Sequence, residues 1–281
     1  MPELPEVEIV GRGLAKKIVG LRLDRVEVRL DKIVQGNTRA FAQALTGARV
    51  RGVRRKGKIL VVDLGQWLMA VHLKMTGRFS FVWPDQPLLK HTHLCFSFED
   101  APFELRYQDM RQFGWFRLLK PEELDKWPAW AELGPDALDL DEKTFLDRLA
   151  KRKGRLKSLL LNQAFVAGLG NIYADEALFR AGLHPLRPAN SLSTKEKKAL
   201  FRAISQVLKE ALECGGSSIV NFQDAEGNLG NFQTRHLVYG RQGDPCLKCG
   251  QTIQRIKVGG RSSFFCPACQ RQKVRKAGGR P

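Results

Sequence analysis

The sequence has 281 residues and is strongly basic, with 47 Lys and Arg against 29 Asp and Glu and a formal net charge of +18. This imbalance favours a polyanionic partner, because each cation that neutralises a phosphate releases a condensed counterion. No stretch reaches the roughly 18 consecutive apolar residues of a membrane-spanning helix, and the first residues are acidic where a secretory signal is basic and apolar. These features favour a cytoplasmic protein that binds nucleic acid, and the length allows two domains plus a small module.

The first 120 residues are predicted to hold one helix and a set of short strands. Apolar residues recur at helical spacing over residues 1–20, beginning with Val7 and Val10. From about 22 to 120 the chain consists of short β-rich runs, such as KILVVDLG and HLCFSF, separated by Gly and Pro. Several short strands with turns between them are typical of a β-sandwich or barrel.

The rest of the chain is predicted to be helical up to a distinct C-terminal module. Residues 121–140 contain three prolines and an acidic excess, which suits a connector. Helical periodicity follows from about 141 to 214, and then comes a loop rich in Gly, Ser and Asn. The predicted fold class is therefore α+β and multidomain. Its segments are an N-terminal helix and β-sandwich (2–120), a linker (121–140), a helical domain (141–235) that includes the loop 215–233, and a zinc module (236–281).

Four of the six cysteines are spaced as ligands of a single metal ion. Cys246, Cys249, Cys266 and Cys269 form a C-x2-C-x16-C-x2-C pattern, in which each close pair ligates from a tight turn and a hairpin brings the two pairs together. Four thiolates close the coordination sphere, so we expect one structural Zn²⁺ and no chemistry at the metal. Arg261 lies near the Gly-rich tip between the pairs, where an arginine either contacts a phosphate or is simply solvated.

The N-terminal PELPEVE segment allows two interpretations. Proline and glutamate in a first turn are both typical of a helix start, and local spacing alone favours that interpretation. The second interpretation is chemical. Removal of Met1 would expose Pro2 as a secondary amine, and an α-amino group titrates at about pH 8, well below a lysine. Such an amine is a nucleophile that can form an iminium with C1′ of a sugar, while Glu3 and Glu6 can transfer protons and hold it in place.

Six motifs occur in order along the chain: PELPEVE at 2–8, Lys58 within RRKGKILVVDLG, HLKMTGRF at 72–79, DMRQFG at 109–114, GLGNIYADE at 168–176 and GGRSSFFCPACQ at 259–270. Together they resemble the formamidopyrimidine-DNA glycosylase family, bacterial enzymes that remove 8-oxoguanine from DNA. The resemblance runs nearly from end to end. One departure is Lys74, which stands where the family usually carries glycine.

The resemblance implies a mechanism that proceeds through an amine. On this sequence Pro2 would be the nucleophile that attacks C1′ of the damaged nucleoside, and Glu3 would be the proton donor, supported by Glu6. Lys58 would act in β-elimination and contact a phosphate, and Arg261 would assist δ-elimination and hold phosphates. The residues alone favour an ordinary solvated loop lysine at position 58, so its role depends on the resemblance.

The resemblance also implies residues that evert the damaged nucleotide and grip the duplex. Met75, Arg111 and Phe113 match the trio that fills the void, although periodicity alone favours core packing for Met75 and Phe113. The loop 215–233 resembles a lesion-recognition loop for oxidised purines, whereas composition alone fits a surface insertion equally well. The domain 141–235 would carry a helix–two-turn–helix motif. Further DNA contacts of the family map to His91, Arg152, Lys157 and Asn171.

Two other functions remain open at this point. A sister enzyme of the endonuclease VIII type would prefer oxidised pyrimidines, but PELPEVE differs from the PEGPE start typical of that group. A non-enzymatic zinc-finger protein that binds DNA would have no use for Pro2, Glu3, Lys58 and Arg261 together. We therefore predict a bifunctional glycosylase and AP lyase for 8-oxoguanine and formamidopyrimidines. It would be monomeric, with one zinc ion and double-stranded DNA as its partner.

Overall fold

The computed structural model describes residues 2–218 and 222–272, which fall into two compact units. The first, here called the sandwich unit, runs from the N-terminus to Leu133 and includes Glu210–Thr234. The second, here called the helical unit, consists of Gly134–Lys209 and the segment from Arg235 onward. The finer division into four segments stays a prediction. No described helix is long and apolar enough to cross a membrane.

The sandwich unit begins with α1 (Leu4–Ile18), as the apolar spacing predicts. Pro5 occupies the first turn, where a missing N–H costs nothing. The buried face of α1 includes Val7, Val10 and Leu14, which join the main apolar core. A shorter helix, α2 (Thr38–Leu45), is capped by the Asn37 side chain.

The described residues of the sandwich unit form nine strands in two sheets, which confirms the predicted sandwich. One has four antiparallel strands in the order β1-β7-β8-β6, and the other has five in the order β2-β9-β5-β4-β3, of which only β2 and β9 pair in parallel. Side chains of both sheets meet in one apolar core. The strands are β1 (Leu23–Val28), β2 (Val34–Gln35), β3 (Gly52–Lys56), β4 (Ile59–Asp63), β5 (Leu68–His72), β6 (Gly77–Val82), β7 (Thr92–Phe98), β8 (Glu104–Asp109) and β9 (Trp115–Leu119).

The segment after β9 covers the outer face of the five-stranded sheet. It holds the 3-10 helix Pro121–Lys126 and the short helix α3 (Pro128–Ala131). Trp127 and Trp130 are buried there against Val61 and neighbouring apolar residues of the sheet. The first half of the predicted linker is therefore a packed layer of the sandwich unit.

The described part of the helical unit contains four further α-helices and a β-hairpin. The helices are α4 (Glu142–Ala150), α5 (Leu156–Leu161), α6 (Asn171–Arg180) and α7 (Thr194–Glu213), and the last residues of α7 belong to the sandwich unit. Strands β10 (Gln254–Val258) and β11 (Arg261–Phe265) form the hairpin of the predicted zinc module. This module shares a small core with α6, in which Phe179 contacts Val238 and Ile253 among others.

Candidate functional site

Two carboxylates at the N-terminus of α1 are buried. Pro2 is buried, and Glu3 and Glu6 are 2% and 1% exposed. One oxygen of Glu6 accepts a hydrogen bond of 2.8 Å from the backbone N–H of Glu3, and the other accepts one of 2.9 Å from Ser217 N–H. Carboxylates at a helix N-terminus are favoured by the helix dipole. Glu6 therefore fixes the residues around Pro2 and, at the same time, the start of the loop 215–233.

Lys58 lies in the tight turn between β3 and β4 and is only 9% exposed. The hairpin is held to α1 by an ion pair between Arg55 and Glu8, 2.8 Å apart. At Gly11 of α1 an added Cβ would lie 2.9 Å from a Leu60 methyl group, so helix and hairpin are in close contact. The interpretation of Lys58 as a solvated loop residue is therefore wrong.

His72, at the end of β5, is a residue of this region that the sequence did not single out. Its Nδ1 accepts a hydrogen bond of 3.0 Å from the backbone N–H of Lys74. Desolvation, followed by the charges of Lys74 and Lys58, lowers the pKa of His72 to about 3. The ring is therefore neutral at physiological pH, and its proton lies on Nε2, which can donate to an anion. The sequence signal that could have identified His72 is its position in the HLKM motif, three residues before Met75.

Met75, Arg111 and Phe113 lie together on the surface of the sandwich unit. Met75 and Phe113 are 40% and 52% exposed, so core packing is the wrong interpretation for both. The Arg111 guanidinium donates to the Met75 sulfur at 2.8 Å and lies 4.8 Å from the centre of the Phe113 ring. Such a trio presents a thioether, an aromatic face and a cation at one place.

The loops that carry this trio have unusual backbone geometry. Lys74 has φ of 53° and Gln112 has φ of 55°, so each adopts the left-handed conformation directly beside a member of the trio. For a residue other than glycine this conformation costs about 1–2 kcal/mol. The lysine at the family's glycine position thus keeps the turn that a glycine would form.

The described part of the loop 215–233 is held by hydrogen bonds within the loop and by contacts with β6 and the main core. Ser218 Oγ donates to the Phe222 carbonyl at 2.7 Å and accepts from Gly230 N–H at 2.9 Å. Arg78 of β6 donates to the Gln223 side chain at 2.8 Å. Ala225 is buried in the main core, which a tolerated surface insertion would not require.

A polar cavity of about 360 Å³ lies between this loop and β6. His91, which has φ of 66°, lines the cavity beside Lys90 and Arg78. The cavity lining therefore carries positive charge, and the Arg78 guanidinium donates to the side-chain oxygens of Gln108 and Gln223 at 2.8 Å each.

In the helical unit, α6 begins at Asn171, with Gly170 as its N-cap. The Asn171 amide donates to the Ser262 carbonyl of β11 at 2.9 Å, and the first backbone N–H groups of α6 are suited to an anion. Arg152 and Arg261 are exposed. Arg152 and Arg261 are therefore accessible from solvent, whereas the amide of Asn171 is engaged within the helical unit. Their contacts with DNA stay predictions.

Lys157 does not fit its predicted role. Its side chain is fully buried, and its ammonium donates to the Asp175 carboxylate at 2.7 Å and to the Asn171 carbonyl at 2.9 Å. An ammonium enclosed in this way has no surface to offer a phosphate. The expected DNA contact by Lys157 is corrected to an internal ion pair beneath the start of α6.

Asp175 also anchors the hairpin that carries Arg261. One of its oxygens accepts from Ser263 Oγ at 2.7 Å and the other from Phe264 N–H at 3.0 Å. The hairpin turn is formed by Gly259 and Gly260, both with positive φ, as a two-residue turn between antiparallel strands requires. Arg261 directly follows this turn, so the tip that carries it has a fixed geometry.

The four predicted zinc ligands converge in the helical unit. The sulfur atoms of Cys246, Cys249, Cys266 and Cys269 all lie within 4.8 Å of one another. A tetrahedral Zn²⁺ with bonds of about 2.3 Å places its sulfurs about 3.8 Å apart, which the cluster matches closely. Separations of 3.5 Å for Cys249–Cys266 and 4.0 Å for Cys246–Cys269 illustrate the fit. The cluster is one structural zinc site.

Comparisons with known proteins cover most of the chain. The profile of the formamidopyrimidine-DNA glycosylase N-terminal domain matches residues 1–116, that of the H2TH domain of the same proteins matches 133–223, and that of a zinc finger found in FPG and IleRS matches 243–272. The formamidopyrimidine-DNA glycosylase of Heliobacterium modesticaldum is 46% identical over 280 residues, which covers 96% of this chain and all of the relative. That of Bacillus subtilis is 42% identical over 278 residues, with 97% and 100% covered.

Solved structures match equally well. Lactococcus lactis Fpg in complex with DNA that contains an abasic site superimposes with a TM-score of 0.90 at 38% identity, covering 96% of this chain and 100% of that one. A structure of MutM with carbocyclic 8-oxo-G containing DNA gives a TM-score of 0.89 at 38% identity, with the same coverage.

Proposed function

Since the chain belongs to the formamidopyrimidine-DNA glycosylase family and is a base-excision DNA repair enzyme, we propose that it acts through the amine of Pro2 on oxidised purines in duplex DNA. The structural relatives in complex with DNA containing Fapy-dG, 8-oxo-G or an abasic site support this substrate class. The observation that carries the proposal is the exposed contact among Met75, Arg111 and Phe113, in the same unit as the buried carboxylates beside Pro2.

The chemistry begins once Met1 has been removed. The Pro2 nitrogen attacks C1′ of the damaged nucleoside, the C1′–N bond breaks, and the base leaves with a proton. Glu3 donates the proton that opens the sugar ring or accompanies the base. Glu6 is a supporting residue, because its hydrogen bond to Glu3 N–H holds the chain beside Pro2. The resulting iminium acidifies the 2′ hydrogens, and its elimination reactions expel first the 3′ and then the 5′ phosphate.

Lys58 and Arg261 assist these two eliminations. Lys58 is held at a hairpin turn against α1, where its ammonium can stabilise the phosphate that leaves in β-elimination. Arg261 sits at the rigid tip of the zinc hairpin and assists δ-elimination by binding a phosphate bidentately. His72 joins them as a neutral donor to a phosphate oxygen through Nε2.

DNA is bound by cations, amides and a wedge. Met75 and Phe113 enter the stack that the everted nucleotide vacates, and Arg111 offers donors to the orphaned base. Arg152, Asn171 and His91 contact the phosphate backbone. The loop 215–233 contacts the everted base and favours purines. The enzyme acts as a monomer in the bacterial cytoplasm, where its chromosomal substrate lies.

Borohydride trapping tests the proposal. The native enzyme is incubated with a duplex that carries 8-oxoguanine opposite cytosine, and the reduced adduct is located by peptide mass spectrometry. We expect the adduct on Pro2, and none from a chain with an uncleavable N-terminal extension. An adduct on a lysine, or none with either the lesion or an abasic site, would refute the mechanism. Faster trapping on thymine glycol than on 8-oxoguanine would favour the endonuclease VIII-type alternative.

A further inference from the structure

Asp109 is a fully buried carboxylate at the end of β8, directly before the loop that carries Arg111 and Phe113. One of its oxygens accepts from the Thr76 hydroxyl and, at 3.2 Å, from Arg111 N–H. The other accepts from Gly114 N–H at 2.7 Å. Both ends of the loop 110–113 therefore hydrogen-bond to one side chain, that of Asp109.

Tyr107 lies against the same carboxylate. Its hydroxyl is 3.5 Å from Asp109, and burial, followed by the charge of Asp109, raises the pKa of Tyr107 so that it remains a donor. The packing leaves no spare room, because a Cβ added at Gly114 would lie 1.8 Å from the Tyr107 oxygen and one at Gly77 would lie 2.3 Å from it. Gly114 directly follows the loop that carries Arg111 and Phe113, and Gly77 follows the loop that carries Met75. The Asp109 carboxylate therefore lies in a tightly packed pocket.

Thr76 connects the loop that carries Met75 to the pocket around the Asp109 carboxylate. It directly follows Met75, and its hydroxyl accepts from Arg111 N–H at 2.9 Å while donating to Asp109. A continuous path therefore runs from the Arg111 backbone through the Thr76 hydroxyl to the Asp109 carboxylate. Two loops 35 residues apart in sequence are tied together through one hydroxyl group.

We propose that Asp109 and Thr76 are positioning residues that hold Met75, Arg111 and Phe113 as one preformed wedge for base eversion. The inference rests on the proposed function. Side chains on two independent loops would lose conformational entropy when they enter the duplex, and a wedge that is already assembled avoids this loss. Neither residue takes part in the elimination chemistry, so their effect is confined to steps that require an intact duplex.

The test compares two substrates in single-turnover experiments. One is a duplex with 8-oxoguanine opposite cytosine, which requires eversion, and the other is a single strand with an abasic site, which does not. Thr76→Val and Asp109→Asn are expected to slow excision from the duplex by about tenfold to a hundredfold, the range for loss of hydrogen bonds to a buried charge. Cleavage of the single strand should change by less than about twofold.

Two matched variants separate positioning from general damage. Thr76→Ser keeps the hydroxyl and should retain the duplex activity. Ser97→Ala removes a hydroxyl of β7 that donates to Glu104, another buried carboxylate of β8, at 3.2 Å, and should also retain it. The fluorescence of a 2-aminopurine placed beside the lesion rises when the damaged base is everted. This rise should be slower in Thr76→Val than in the native enzyme and unchanged in Thr76→Ser.

Three results would overturn the inference. They are unchanged duplex excision by Thr76→Val, equal losses on the duplex and the single strand, and an equal loss in Ser97→Ala. If Asp109→Asn does not fold, Thr76→Val alone decides. Failure of the native enzyme on both substrates would instead reject the proposed function, so the two failures are distinguishable.

Discussion

Replacement of Asp175 by asparagine is expected to destabilise the helical unit strongly. Lys157 and Asp175 are both fully buried, with 2.7 Å between nitrogen and oxygen, so the variant removes the negative charge that the Lys157 ammonium contacts. Breaking a buried pair from one side costs about 3–5 kcal/mol. Loss of an ordinary buried hydrogen bond costs about 1–3 kcal/mol, so loss of the charge pair is the larger effect. This is a large part of a typical stability of about 5–15 kcal/mol.

Urea unfolding of the full chain, with zinc bound, measures the loss. The double variant Lys157→Met/Asp175→Asn removes the buried positive charge as well, and the asparagine oxygen can still accept from Ser263 or Phe264. We expect it to regain at least half of the lost free energy of unfolding. Asp147→Asn, an exposed change on α4, should stay within about 0.5 kcal/mol of the native chain. A loss below about 1 kcal/mol in Asp175→Asn, or a double variant less stable than the single one, would refute the reasoning.

Three further predictions follow from the site. His72 has a pKa of about 3 in the fold against about 6.5 unfolded, so the unfolded chain binds more protons between these values and stability falls on acidification by at most about 1.4 kcal/mol per pH unit. His72→Asn should reduce this slope in urea titrations between pH 6.5 and 4.5, and an unchanged slope would count against burial as the cause. Lys74→Gly should raise the free energy of unfolding by up to about 1 kcal/mol by relieving the left-handed backbone, whereas Lys74→Ala should not, and equal stabilisation by both would contradict this. Removal of zinc by a chelator, or Cys249→Ala, should abolish DNA binding in fluorescence anisotropy while the sandwich unit stays folded by circular dichroism, and retained affinity would make the finger dispensable.

The regular elements of the fold were predictable because their sequence patterns are local. The helical spacing in α1 and the apolar run of β4 follow from side-chain periodicity. The zinc site follows from the spacing of its cysteines, since two close pairs can converge on one ion in few ways. These predictions needed no knowledge of which distant residues meet.

Partners of buried polar groups were not predictable from local pattern. Lys157 was assigned to DNA by the family resemblance, and its burial was not expected because a lysine is almost never fully buried unless it is paired. Its partner Asp175 lies 18 residues further on, and Ser263, which shares that carboxylate, lies another 88 residues away. The two tryptophans at 127 and 130 were likewise hidden within a proline-rich acidic segment, whose composition resembles a connector although its apolar side chains cover a sheet.

Backbone conformations that are unusual for the residue type are concentrated at the candidate site. Among the described residues, four that are not glycine have φ between 53° and 66°, and three of these are Lys74, His91 and Gln112. Each of the three either is a predicted DNA contact or directly adjoins one. Propensity assigns such conformations to glycine, so the sequence alone gives no sign of them. These conformations persist because surrounding hydrogen bonds hold the turns in place. Examples are the bond from Lys74 N–H to His72 and the bond from Gly114 N–H to Asp109 at the end of the loop 110–113. Backbone strain beside the proposed wedge is therefore expected of a preformed site, and Lys74→Gly is the substitution that relieves it most directly.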